Sequence, residues 1–338
     1  HKGGVGGAPM LTAAGMGARA AKGKDLLYKH AIEGFQGDAG VMPAKGGNPD
    51  VRAFIGMQVG GIACPLGAHY LPLPGEAARE VQDLLEELGL RRRVAGRWQY
   101  DERHLCHSPQ ERLFFQGQWQ EGLLPQQDVD ERTLAQYRRF ARQVQALMQS
   151  TRFAMPMLKT FESKRPLAPV HQALDAMTFE AWLGTHGYDD PHLRWYLDYC
   201  CRDDYGAGIA TVSAWAGVHY FASRPGFQAP GVSGLADAPR DAVLTWPEGN
   251  GWLVKRLREK LGDRVSTGRL VYSVEEKADG VYVDSLDVKT NVATRVRARQ
   301  VIFAAPRFIA AHVVDGMRKA RPNYLADLQY SPWMVANV

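Results

Sequence analysis

The sequence is poor in cysteine, with four in 338 residues, and no two of them stand in a C-x-x-C pair. Cys64, Cys106, Cys200 and Cys201 therefore lack the spacing of a zinc ribbon or a dithiol redox motif. The adjacent pair Cys200-Cys201 reads as structural. Long apolar runs are missing too. The best stretch, from Val301 to Ile309, is broken by Pro306 and Arg307 and falls short of the ~18 residues of a membrane span. Excess charge of one sign is also small. Lys and Arg number 41 against 36 Asp and Glu, a net charge of +5. The basic runs, Arg91-Arg92-Arg93 and the arginines between 295 and 299, are too short to argue for a nucleic-acid partner over a solvated face. No secretory signal is visible, and the first residue is a His, not a Met.

What is present describes a globular chain. Hydrophobic residues make up 45% and charged residues 23%. At ~150 residues per domain the length suggests about two domains. Glycine is abundant, 35 residues, and crowds the first 60 positions, where acidic residues are few. Short helices are expected there at 24–33 and 49–57, the second with a Pro near its start.

Beyond residue 62 the pattern changes. Residues 76–88 carry Val81, Leu84, Leu85 and Leu88 at helical spacing, closed by Gly89. Extended pieces follow at 98–100 and 112–115, and Gly117 suits a hairpin turn into a strand starting near Trp119. Residues 129–150 and 178–202 read as long helices, with a loop at 165–169 between them. Residues 246–261 read as a turn leading into a helix. The segment 264–305 reads as β: strands at 265–267, 270–275, 280–285 and 298–303, with Asp279-Gly280 as a hairpin turn. The run Val301-Ile302-Phe303-Ala304-Ala305-Pro306 fits a buried parallel strand ended by proline. Strands mixed with long helices imply an α/β or mixed α+β fold.

Two constellations carry chemistry. The first is His1-Lys2-Gly3-Gly4-Val5-Gly6-Gly7-Ala8-Pro9 with Val41-Met42-Pro43-Ala44-Lys45-Gly46-Gly47. An imidazole and a thioether on glycine-rich loops can ligate iron from opposite faces, as in electron-transfer cytochromes. An incidental leading histidine and a core methionine are the plainer alternative. In the order Ala8-Pro9, 20–34, 42–47 and 50–59, this segment resembles a class I cytochrome c of the c5 type, beginning at the last residue of C-x-x-C-H. The resemblance implies a small all-α segment over residues 1–60, haem c, and His1 and Met42 as its axial ligands. The haem-linking cysteines would precede residue 1. It also implies the periplasm, since c-type haem is attached outside the cytoplasm.

The second constellation is Pro65-Leu66-Gly67-Ala68-His69-Tyr70 ahead of the helix 76–88, the turn Trp246-Pro247-Glu248-Gly249-Asn250-Gly251, and the strands ending in Ala304-Ala305-Pro306. Small residues let a flat ring approach the backbone, and Tyr70 could stack on it; a plain strand–loop–helix explains the first stretch equally. Together and in this order they resemble the flavin-containing amine oxidase superfamily, which also takes in phytoene-desaturase-like enzymes. The resemblance implies FAD, with Gly67, Ala68, His69 and Tyr70 at the flavin ring, Val271 at the adenine, and Ala304, Ala305 and Pro306 closing the cofactor domain. It implies a partial Rossmann-like FAD-binding domain, 61–110 with 236–338, and a mainly helical substrate domain, 111–235. The superfamily's G-x-G-x-x-G fingerprint is not in the sequence, nor is its C-terminal flavin segment. Tyr70, Trp215, His219 and Tyr220 are the candidate catalytic side chains, with core packing as the competing role for the last three.

The expected activity is hydride transfer from a substrate C–N or C–C bond to flavin, on a small-molecule substrate, with an electron acceptor or redox partner. The alternatives are a truncated or fused chain without catalysis, and a c-type cytochrome electron carrier with an inert flavoprotein-like partner domain.

Overall fold

In the computed structural model, residues 57–59, 62–64, 69–106, 111–161, 168–224, 226–230, 242–327 and 330 are described. The haem-ligand candidates His1 and Met42 and the ring-loop candidates Gly67 and Ala68 lie outside these residues. The chain divides into two compact units, one built from 70–245 and one from 2–69 with 246–338.

Strand β1 (Met57–Val59) pairs antiparallel with β2 (Ile62–Cys64), Val59 facing Ile62. This corrects the helix expected over 49–57 at its last residue: Met57 is in a strand, paired with Cys64.

The first unit opens with β3 (Tyr70–Pro72) and helix α1 (Arg79–Glu87), which buries Leu85. Two hairpins follow, β4 (Arg91–Val94) with β5 (Arg97–Tyr100), and, after the two-residue strand β6 (Leu105–Cys106), β7 (Arg112–Phe115) with β8 (Gln118–Glu121). Their turns, Ala95-Gly96 and Gln116-Gly117, have positive φ at both residues. That is the type I′ geometry whose twist matches the flanking strands, and only the second residue in each turn is a glycine. The hairpin partner of 98–100 was not legible in the sequence, because Arg91–Val94 alternates weakly and ends in an Ala-Gly turn.

The helical part begins with α2 (Glu131–Ser150). Asp130 caps it by accepting the Thr133 N–H at 2.7 Å, and Tyr137, Phe140 and Val144 form its buried stripe. Next come α3 (Pro169–Asp175), α4 (Phe179–Thr185), α5 (Pro191–Tyr205) and α6 (Ala214–Ala222). The single helix expected over 178–202 is thus two. Gly187 takes a left-handed φ of 65°, and Asp190 and Pro191 restart the chain as N-cap and first helical residue. Asp190 accepts from Leu193 N–H and from the Thr133 hydroxyl, tying the start of α5 to the start of α2. Gly217 of α6 lies so close to Phe179 that a Cβ there would come within 2.2 Å of the ring. β9 (Val243–Thr245) lies between β3 and β6 in an antiparallel three-stranded sheet.

In the second unit Trp246 stacks on Trp252 at 5.3 Å across a turn with Gly249 at φ 63°. Helix α7 (Gly251–Leu261) follows, and none of its residues is buried. β10 (Arg269–Lys277), β11 (Gly280–Asp287) and β12 (Ala293–Ala298) form an antiparallel meander, turning at Asp279-Gly280 as expected. Helices α8 (Arg307–Val313), α9 (Asp315–Ala320) and α10 (Tyr324–Asp327) follow, with Val274, Ala310 and Val313 buried. Two expectations fail here. Residues 265–267 form no strand. The run 301–304 is not a buried parallel strand either: no strand among the described residues pairs with it, and Ile302 is 93% exposed. The final strand ends at Ala298, where its ladder with Val281 ends.

Candidate functional site

The candidate residues that are described fall into both units. Tyr70 begins β3, half-buried, and His69 before it is exposed. In the second unit Val271 sits at the bulge in β10 with its side chain exposed, and Ala304 and Ala305 are exposed ahead of Pro306, which caps α8.

Trp215, His219 and Tyr220 all lie on α6, where Ser213 caps the helix by accepting the Ala216 N–H. The fold brings Trp215 and His219 into one aromatic cluster with Phe153, Phe161 and His171. The His219 ring stacks on Trp215 at 4.7 Å, and Phe153 meets His171 edge-on at 5.1 Å. The Trp215 indole N–H donates to His171 Nδ1 at 2.8 Å, and His219 Nε2 lies 2.9 Å from the Ala154 carbonyl. Both histidines are buried, and burial holds each imidazole below its ordinary pKa. These groups are satisfied by neighbours within the unit and are neutral near pH 7.

Tyr220 points to a different neighbourhood. Arg224 lies over its ring at 4.5 Å and pairs with Asp204 at 2.9 Å, so Asp204 spends its charge inside the protein. Burial raises the Tyr220 phenol far above its ordinary value and pushes the thiol of Cys200 up to about 12. Cys201 is raised likewise to about 12. Both remain thiols at neutral pH and are inert as nucleophiles, in keeping with the structural role read for this pair.

Sequence reasoning missed His171 and Arg91. His171 comes two residues into a short helix, with no spacing that ties it to Trp215, 44 residues later. Arg91 is a buried arginine whose guanidinium lies 3.8 Å from the centre of the Trp98 ring. Beside it the first unit carries an open cavity of about 650 Å³. Leu73, Leu90, Trp98, Tyr100 and Leu105 line its apolar wall, with Arg92, Asp101 and Arg103 at its polar side. Its size is that of a small-molecule site. Arg103 and Asp101 neutralise each other at 2.6 Å, holding the Asp101 carboxyl down to about 2.

An FAD fits these residues in part. Val271 offers an exposed apolar side chain, and Ala304-Ala305 leaves the backbone open to close approach. Among the described residues no strand–glycine turn–helix unit offers a pyrophosphate cradle, and the sequence holds no G-x-G-x-x-G.

The comparisons with known proteins bear on both constellations. A family model described as flavin containing amine oxidoreductase matches residues 57–332. A solved structure of putrescine oxidase, wild type bound to putrescine, aligns with a TM-score of 0.53 at 19% identity, covering 77% of this chain and 51% of that one. A double mutant of the same oxidase aligns at 0.52 and 20% identity over the same shares. At such identity the likeness speaks for the fold, and the chain spans about half the length of these solved relatives. Cytochrome c-555 of Chlorobaculum thiosulfatiphilum is 44% identical over 50 residues, 14% of this chain and 58% of that protein. It agrees with the cytochrome c resemblance of the first 60 residues.

Proposed function

The chain belongs to the flavin-containing amine oxidoreductases, and from that membership we propose that it serves the FAD-dependent oxidation of a small amine. The observation that carries this reading is the family match over 57–332, together with a fold like that of putrescine oxidase. When bound, FAD supplies the hydride acceptor for the C–N carbon, which is the hard chemistry of the reaction.

The chain's own residues would do the rest. Val271 and the Ala304–Pro306 stretch of the second unit would lie against the cofactor. The helical part of the first unit would carry the substrate. Its histidines serve in packing and not in the proton transfers of the reaction: His171 is engaged by Trp215 and Thr151, and His219 by Ala154. Phosphate binding would rest on residues other than those described.

The finer reading is an electron relay. His1 and Met42 of the cytochrome-like segment would hold a haem c, which would supply one-electron transfer toward a redox partner, in the periplasm. The likeness to cytochrome c-555 supports it.

Optical titration tests both parts. FAD added to the purified chain is expected to show quenched fluorescence and a shift of its visible absorption band. Anaerobic addition of a primary amine such as putrescine is then expected to bleach that band. Flavin that binds and is not bleached by any amine overturns the amine reading. For the relay, a Soret band whose reduced form grows as the flavin bleaches is expected, and the absence of any Soret band overturns it.

A further inference from the structure

The aromatic cluster on α6 also holds down a surface segment, residues 151–161. Four of its residues fasten it. Thr151 Oγ1 lies 3.1 Å from His171 Nε2, the Ala154 carbonyl meets His219 Nε2, and Phe153 and Phe161 lie against His171 and Trp215. Inside the segment the Ala154 N–H donates to Thr160 Oγ1, and its outer side chains Met155, Met157 and Leu158 are exposed.

The hydrogen bonds fix the His171 tautomer. Nδ1 accepts from the Trp215 indole, which is a donor only, so Nδ1 carries no proton and Nε2–H faces Thr151. His219 differs. Its Nε2 donates to a carbonyl, an arrangement that survives protonation of the ring.

We propose that His171 is a proton-sensitive latch: a second proton, at Nδ1, sets donor against donor at Trp215, turns the ring out of the cluster and so takes its contacts with Thr151, Phe153 and Phe161 away from segment 151–161. The bond that breaks is the indole N–H···Nδ1 hydrogen bond, and the incoming proton comes from solvent. Burial lowers the His171 pKa below 6.5, the direction expected when the closed segment tolerates only the neutral ring. A group depressed in the closed state stabilises closure above its ordinary pKa and loses that contribution as the pH falls. The segment carries Arg152 and Lys159, α3 ends on Asp175, and Arg224, Asp204 and His171 itself act on the charge of His219. Lys159 is engaged by Glu80 at 2.7 Å.

Hydrogen exchange of the full chain, read by mass spectrometry from about pH 7.5 to about pH 5 and corrected for intrinsic exchange, tests the latch. Opening of 151–161 is expected to rise below about pH 6.5, approaching tenfold per pH unit for one linked proton. Peptides of α2 should stay protected over the same range. His171→Gln is expected to remove the pH dependence and His219→Gln to keep it. Trp215→Phe, which leaves an aromatic ring without the N–H donor, is expected to weaken the dependence should His171→Gln fold poorly. Flat exchange in the wild type, an unchanged slope in both His171→Gln and Trp215→Phe, or loss of α2 protection in step with the segment each overturns the proposal.

Discussion

The helical part of the first unit and the sheet of the second bury their apolar residues to very different extents. In the first, Tyr137, Phe140, Val144, Phe179, Leu183, Leu193 and Leu197 are fully buried in one cluster. Phe140 alone meets Phe179, Trp182, Tyr188, Phe221 and Phe227 with ring centres 4.9 to 6.4 Å away. In the second, α7 buries nothing although Val254, Leu257 and Leu261 recur on one side of it, and among the described residues the buried apolar set is small: Trp246, Val274, Ala310 and Val313. The same residue types therefore hold a fold together in one region and lie in solvent in the other. A substitution should reveal which region it falls in by its energetic weight.

The largest expected effect is Phe140→Ala. It leaves a ring-sized hole beneath five aromatic partners and should cost about 3–5 kcal/mol, seen as a lower midpoint in denaturant unfolding. A loss below about 1 kcal/mol would mean that the helical core is looser than its contacts imply. Gly217→Ala should come next. Its new methyl meets Phe179, a buried ring that cannot swing away, and overpacking of this kind costs about 1–3 kcal/mol. Asp190→Ala strips a helix cap and orphans the buried Thr133 hydroxyl; about 1–2 kcal/mol is expected from the same measurement. In the second unit Leu257→Ser should change stability by no more than about 0.5 kcal/mol, because its side chain is already 38% exposed. A large loss there would show a covered surface and break the contrast. The smallest effect is a matter of pH. Asp101 falls from an ordinary 3.8 to about 2 through its hydrogen bonds with Arg103, so its contribution is present above about pH 4 and fades between about 4 and 2. The pair is exposed to water, so Asp101→Asn should flatten that acid slope only slightly.

The sequence made some of this legible and not the rest, for physical reasons. Periodicity located α1, α2 and α7, and the turn glycines located the hairpins 112–121 and 269–287, since those signals are local. The break at Gly187 was missed because apolar spacing continues on both sides of it, and a left-handed glycine interrupts a helix without altering that pattern. The sheet of β3, β9 and β6 joins residues more than 130 positions apart through strands of two or three residues, too short to show alternation. Of the candidate site, Trp215 and His219 were found as chemistry-bearing types, but their engagement by His171 and Ala154 depends on tertiary contacts. The run 301–304 shows the converse error. Its composition is that of a core strand, yet burial requires a neighbouring strand, and none of the described residues supplies one.

That uncovered run also matters in solution. An apolar stretch with no strand paired to it among the described residues is a template on which other chains can grow, and Ile302 is the side chain such growth would seize first. Arg295 and Arg297 spend their charge on Asp284 and Asp279, while Arg299 and Arg307 stand at the two ends of the run. Like charges brought together in a stack repel, so Arg299 and Arg307 act as gatekeepers against self-association. Their protection is electrostatic, so added salt should weaken it and make the protein less soluble at high concentration.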